Sequence, residues 1–280
     1  MTANNNAVQT YLALRFAMVL LVLLLFLAVV FQLVSISHGP CFQPSISAYY
    51  YTAVRPVFVG ALCAIGVCLI VYRGNRDTEN AVLDYSGFLA FIVAFVPTEI
   101  DTRCSPTNGP APDEIAVAVG NNALAALVVG LAAAGVGWRV KLVRQDPSSP
   151  LSASAKAWLG LTVALLACGV TIFFFEREFF LRYGHLCAAV ALFVGIAAAV
   201  VVNAVDFKKE HEDDEEPPTN RYFLVFGFMV VTVLVCVVFA IGGFSHWVLV
   251  LEASLIAEFA VFWLIQTKEL GSAPTRAQAP

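Results

Sequence analysis

Charge is scarce in this chain. Of its 280 residues only 13% are Asp, Glu, Lys or Arg, against 60% hydrophobic, whereas a water-facing domain carries about 25% charged residues. Too few polar side chains remain to clothe a soluble surface, and a mean hydropathy of +0.81 puts the chain in a membrane. Basic charge is not in excess either: a net charge of −4 creates no field for nucleic acid, and that class of partner drops out. The four histidines never recur as H-x-x-x-H or H-E-x-x-H, and the seven cysteines form no C-x-x-C. A helix-borne zinc site and a thiol redox centre therefore lack their motifs, and neither metal nor cofactor is expected. Also missing is G-x-S-x-G, the turn that presents a hydrolase serine. The first apolar run has no basic stretch before it and no small-x-small cleavage site, so it reads as a retained helix.

Long apolar runs are what the chain has instead. A spanning helix needs roughly 20 such residues to cross about 30 Å of hydrocarbon. Eight segments read as spans: 12–35, 54–72, 82–97, 115–138, 157–175, 186–205, 223–244 and 248–266. The expected fold is thus an all-α, polytopic bundle of eight transmembrane helices. Basic residues are retained near cytoplasmic span ends, which sets the orientation. With the N-terminus inside, twelve of the 16 Lys and Arg fall on the cytoplasmic side, and only Arg55, Arg103, Arg177 and Arg182 on the other. Both termini are therefore expected in the cytoplasm, and the third helix, the shortest, is needed to keep that balance.

The organisation follows: a tail over 1–11, a four-helix half over 12–145, a linker over 146–156, a second half over 157–267 with an acidic loop over 206–222, and a tail over 268–280. The run of acids in that loop reads as a solvated linker. Small residues crowd helices two, four and six (Gly60 and Ala64, Ala126 and Gly130, Gly195 with Ala197 to Ala199), which marks these as the packed interior. Trp138, Trp158, Trp247 and Trp263 fall near span ends, where indoles sit at the membrane interface.

On this topology the outer face gathers an unusual polar set. His38 ends helix one, Tyr50 and Arg55 lead into helix two, Glu99 and Asp101 follow helix three, His185 opens helix six, His246 precedes helix eight and Glu252 lies within it. These eight residues form the candidate outer pocket. Cys41 and Cys104 are the two cysteines placed in outer loops, free to pair in a non-reducing compartment; the other five read as small hydrophobes.

Helix eight is the anomaly. Its eleven Val, Leu, Ile and Phe residues favour insertion by roughly 3–7 kcal/mol, while Glu252 and Glu258, priced like Asp, oppose it by roughly 5–7 kcal/mol. Neither carboxylate can face lipid charged and unpaired. Six residues at 100° each also set the two acids about 120° apart, so one narrow stripe cannot hold both. Each is either a functional group facing a cavity or a hydrogen-bonded strut to a hydroxyl or to Asn121 and Asn122.

Pro44-Ser45-Ile46-Ser47-Ala48-Tyr49-Tyr50-Tyr51 with Arg55, Val57-Phe58-Val59-Gly60, Tyr72-Arg73-Gly74, Val93 to Thr98 and His246-Trp247-Val248-Leu249-Val250-Leu251-Glu252 together resemble a group of uncharacterised bacterial multi-pass membrane proteins. That resemblance covers most of the chain and implies architecture rather than chemistry. A fainter one is to the DRAM/Sfk-like membrane family, through Pro44, Ile46, Ser47, His185 and Glu252, and it implies a role in lipid or membrane organisation. This chain carries two helices more than that six-span pattern. The leading expectation is a lipid-interacting or envelope-associated protein of the plasma membrane, with membrane lipids as partners and room for a homo-oligomer or another membrane protein. The alternatives are a small-molecule or proton-coupled transporter using Glu258 and Glu252, and an outer-face hydrolase using His185, His246 and a carboxylate.

Overall fold

A computed structural model describes residues 2–35, 42–74, 76–98, 112–144, 151–214 and 218–272. Among them are eight α-helices and no strand: α1 (Thr2–Ser35), α2 (Arg55–Val71), α3 (Asp77–Phe95), α4 (Pro112–Arg144), α5 (Ala153–Phe175), α6 (Arg177–Glu210), α7 (Arg221–Ile241) and α8 (Trp247–Ser272), with a short 3-10 helix, Ser47–Tyr51, before α2. Each apolar segment of the sequence falls on one helix. Five helices carry a stretch long and apolar enough to cross a membrane: Gln9–Val34, Ala153–Phe175, Arg177–Glu210, Arg221–Ile241 and Trp247–Glu269.

Local chemistry sets the helix ends. Ser152 and Asn220 cap α5 and α7 by accepting from the N–H groups of Ala155 and Phe223. Asp77 and Glu79 occupy the first turn of α3, where the helix dipole favours negative charge. Pro97 follows the C-cap residue of α3, Val96, and cannot donate to continue the helix. One connection departs from expectation: α5 and α6 are joined by Glu176 alone, so the stretch to His185 that reads as a loop is the first two turns of α6.

Five helices converge on one another through residues spaced three or four apart, the pattern of a helix seam. On α1 the buried stripe is Met18, Val22, Leu25 and Val29; on α2 it is Phe58, Ala61, Ile65 and Leu69. On α3 it runs Glu79, Leu83, Ser86, Ala90 and Val93, on α6 His185, Leu192, Ile196 and Ala199, and on α8 Leu255, Phe259, Phe262, Trp263 and Gln266. In the ring these make, α1 touches α2 and α8, α2 touches α3, α3 touches α6, and α6 meets α8. Outside it, α7 packs on α6 and α8, while α4 and α5 form a further layer against α3 and α6. The outward faces remain apolar, with Phe228, Leu234, Val238 and Ile241 of α7 all exposed. An apolar rind over a core with polar spots suits hydrocarbon rather than water.

Three expectations are corrected. The third helix, the shortest span by sequence and not among those marked as interior, is the centre of the bundle, with eleven of its residues buried; a helix wrapped by protein need not be apolar all round. Helix four is peripheral, since Val128, Val129 and Leu131 are exposed. Trp263 is fully buried instead of interfacial, its ring edge-on to Tyr72 at 5.0 Å.

The tightest crossing joins α2 to α3. A Cβ at Gly66 would stand 2.8 Å from the Gly87 carbonyl oxygen, and one at Gly87 would stand 2.7 Å from that of Gly66. Backbone meets backbone here, so nothing flexible can yield. Gly60, singled out by its small-residue spacing, has nothing within 4 Å. Gly87→Leu should therefore destabilise the detergent-solubilised protein by about 3 kcal/mol or more, read as a lowered Tm, while Gly60→Leu leaves Tm unchanged.

Candidate functional site

The outer polar residues divide into separate contacts. His38, Cys41, Glu99, Asp101 and Cys104 lie outside the described residues. Tyr50 and Arg55 come together: the guanidinium lies 4.4 Å from the Tyr50 ring centroid and donates to its hydroxyl oxygen at 2.8 Å. Tyr51, beside them, donates to the Thr98 carbonyl oxygen at 2.7 Å, tying the 3-10 helix to the end of α3. Burial pushes the Tyr51 hydroxyl pKa up, so it stays a donor. His246 stands at the surface between the rings of Phe42 and Phe244, its Nδ1 3.0 Å from the Ser245 hydroxyl.

His185 sits elsewhere. It is buried, and its Nδ1–H donates to the Val96 carbonyl oxygen at 2.5 Å, capping the buried C-terminal end of α3. Its Nε2 has no hydrogen-bond partner among the described residues. His185 and His246 are therefore held by different neighbours.

Glu252 is held from above by the 3-10 helix. Ser47 donates its backbone N–H to Oε2 at 3.0 Å and its hydroxyl to Oε1 at 3.2 Å. Below lies a chamber of about 70 Å3 lined from α1, α2, α3, α6 and α8. Glu252 supplies the single charged group of that lining, and Val22, Phe58, Ile65, Leu192 and Phe259 are typical of the remainder. A void so lined stays dry. Glu258, as the 120° offset requires, faces away: Thr232 of α7 donates to its Oε1 at 2.6 Å. It is a strut between α7 and α8. Asn122 lies apart from it, in a groove against α3 and α5.

The inner end of the ring carries a network that the sequence reading passed over. Each stripe ends there on a polar side chain: Arg15 of α1, Tyr72 after α2, Glu79 of α3, Asn203 of α6 and Gln266 of α8. Arg15 donates to the Tyr72 hydroxyl oxygen and to the Gln266 carbonyl oxygen. Tyr72 donates to Gln266 Oε1 at 3.4 Å, and Gln266 Nε2 donates to Asn203 Oδ1 at 2.7 Å. Asn203 Nδ2 donates to Glu79 Oε1 at 3.0 Å. Glu79 is 3% exposed. A Cβ at Gly74 would meet its carboxylate, so a side chain there would have to displace Glu79 from the network. A salt bridge from Arg76 to Asp206 at 2.7 Å flanks the network. The available signal was register: Gln266 follows Glu252 by 14 residues and Arg15 precedes Met18 by three, so both stand on buried stripes.

A groove of about 570 Å3 lies between α2, α3, α4 and α5. Phe88, Phe91 and Phe95 form its floor, Ala126, Val129 and Gly130 one wall and Leu159, Val163 and Leu166 the other, with Arg73 and Asp84 at one end and Asn122 among the few further polar members. Among the described residues no group of three His, Cys, Asp or Glu could hold a metal ion. No family model, curated protein or solved structure matches this chain.

Two outcomes are expected of these contacts. Glu252→Ala leaves the buried Ser47 N–H without an acceptor and should cost about 1–3 kcal/mol, with faster hydrogen exchange over residues 47–51; Glu252→Gln keeps an acceptor and should cost less. At the inner end, Asn203→Leu and Gln266→Leu should be strongly non-additive in a double-mutant cycle of Tm-derived stabilities, with a coupling of about 0.5–3 kcal/mol.

Proposed function

We propose that this chain is a multi-pass protein of the cell membrane, with all eight helices crossing and both termini cytoplasmic, and that it binds a membrane lipid in the groove between α3, α4 and α5. The group of bacterial multi-pass proteins it resembles is consistent with that architecture. What carries the reading is the groove itself. Its 570 Å3 lies within the usual range of ligand sites, and its walls are mostly aromatic and aliphatic, with the charged groups gathered at one end and Asn122 and Thr162 as the further polar members. That division matches a molecule with a long apolar part and one polar terminus.

The rival readings draw less support. A transport path would run through the five-helix ring, but its chamber is small and dry and hydrogen bonds close it at both ends. A hydrolase would need its histidines at one carboxylate, whereas His185 caps α3 and His246 stands among phenylalanines.

Native mass spectrometry of protein released from mixed-lipid nanodiscs tests the proposal. A phospholipid mass should stay bound to the native chain, and Ala126→Trp, which fills the groove, should lower its occupancy several-fold without changing Tm. Unaltered retention in a folded Ala126→Trp protein overturns the reading.

A further inference from the structure

We propose that the groove holds a phospholipid by one acyl chain, with the lipid phosphate on Arg73 at the end of the bundle that α1 enters. This rests on the lipid-binding reading above and adds the headgroup chemistry and the orientation.

Shape selects the occupant. Asp84 and Phe95, the extreme α3 residues of the lining, are 11 residues apart, about 17 Å along the axis. Along that length three phenylalanines at successive turns face small and aliphatic side chains of α4 and α5, a long apolar trough in which an extended hydrocarbon chain can lie.

Charge selects the direction. Arg73 follows α2 and Asp84 lies about two turns into α3, so both belong to the half of the bundle where Tyr72 meets Arg15. From there Phe88, Phe91 and Phe95 lead along α3 at successive turns to the other end, close to Asn122 of the antiparallel α4. Arg73 donates through Nη1 to Asp84 Oδ1 at 3.0 Å and is 51% exposed, so the ion pair holds the guanidinium at the groove mouth without sinking it. A guanidinium has five N–H donors in a planar fork that fits phosphate oxygens two at a time. The ion pair engages one of its nitrogens.

The experiment uses the full chain in nanodiscs containing, in turn, phosphatidylethanolamine, phosphatidylglycerol or diacylglycerol with identical acyl chains, read by native mass spectrometry. Both phospholipids should be retained and diacylglycerol retained about tenfold less. Arg73→Gln should lower phospholipid retention about tenfold and leave diacylglycerol unchanged, and Arg73→Lys should restore part of the loss. The Arg73–Asp84 pair is too exposed to matter to folding, which an unchanged Tm would verify. Equal retention of all three lipids, or no effect of Arg73→Gln, overturns the phosphate assignment and leaves the groove reading standing. Retention that survives Ala126→Trp as well overturns the groove reading itself, as does a lipid-free dimer whose interface is blocked by that substitution.

Discussion

Hydrocarbon offers no hydrogen-bond partner, and that single constraint orders this molecule. Every polar side chain on a spanning segment must find its partner inside the protein or reach an interface. The five-helix ring answers it by placing its charged and amide groups at the ends of its buried stripes and leaving the middle apolar but for Ser86, whose hydroxyl donates to the Val82 carbonyl oxygen. At one end Ser47 of the 3-10 helix reaches down to Glu252; at the other, side chains from four helices and Tyr72 just past α2 bond to one another. Interhelical bonds of this kind contribute only about 0.6–2 kcal/mol each. Their larger effect is on register: a helix that slid by one turn would leave a buried carboxylate or amide without a partner.

The two acids of α8 show the same rule met on two faces of one helix. Glu252 looks into the ring and is bound by the 3-10 helix, while Glu258 looks outward to α7 and is bound by Thr232. Together they fix α8 to its neighbours on both sides. Two carboxylates that make the helix expensive to insert are thus also what locates it once inserted.

Much of this was legible beforehand. Eight apolar runs became eight helices, because a run of twenty apolar residues in a chain so poor in charge has few alternatives. The angular offset of Glu252 and Glu258 was readable from helix geometry alone. What escaped is of one kind. Glu79, Asn203 and Gln266 sit near the ends of apolar runs, where a polar residue reads as the place a span stops, and only the buried register separates an inward end from a solvated one. Gly66 and Gly87 were hidden because a close crossing is a property of two helices and neither carries the familiar spacing of small residues. The outer residues were placed on the same side of the bundle by topology, yet topology says nothing about distance, and Arg55, His185 and His246 each have their own partner.

The one-residue connection at Glu176 bears on the groove. It leaves α5 and α6 no slack at that end, and there Arg177 lies against Gly120 of α4 and over the Phe173 ring at 5.6 Å. The helices of the outer layer are in effect stapled together at one edge. An insertion that lengthened that joint would loosen three helices at once, α4, α5 and α6, at the groove end nearest Asn122.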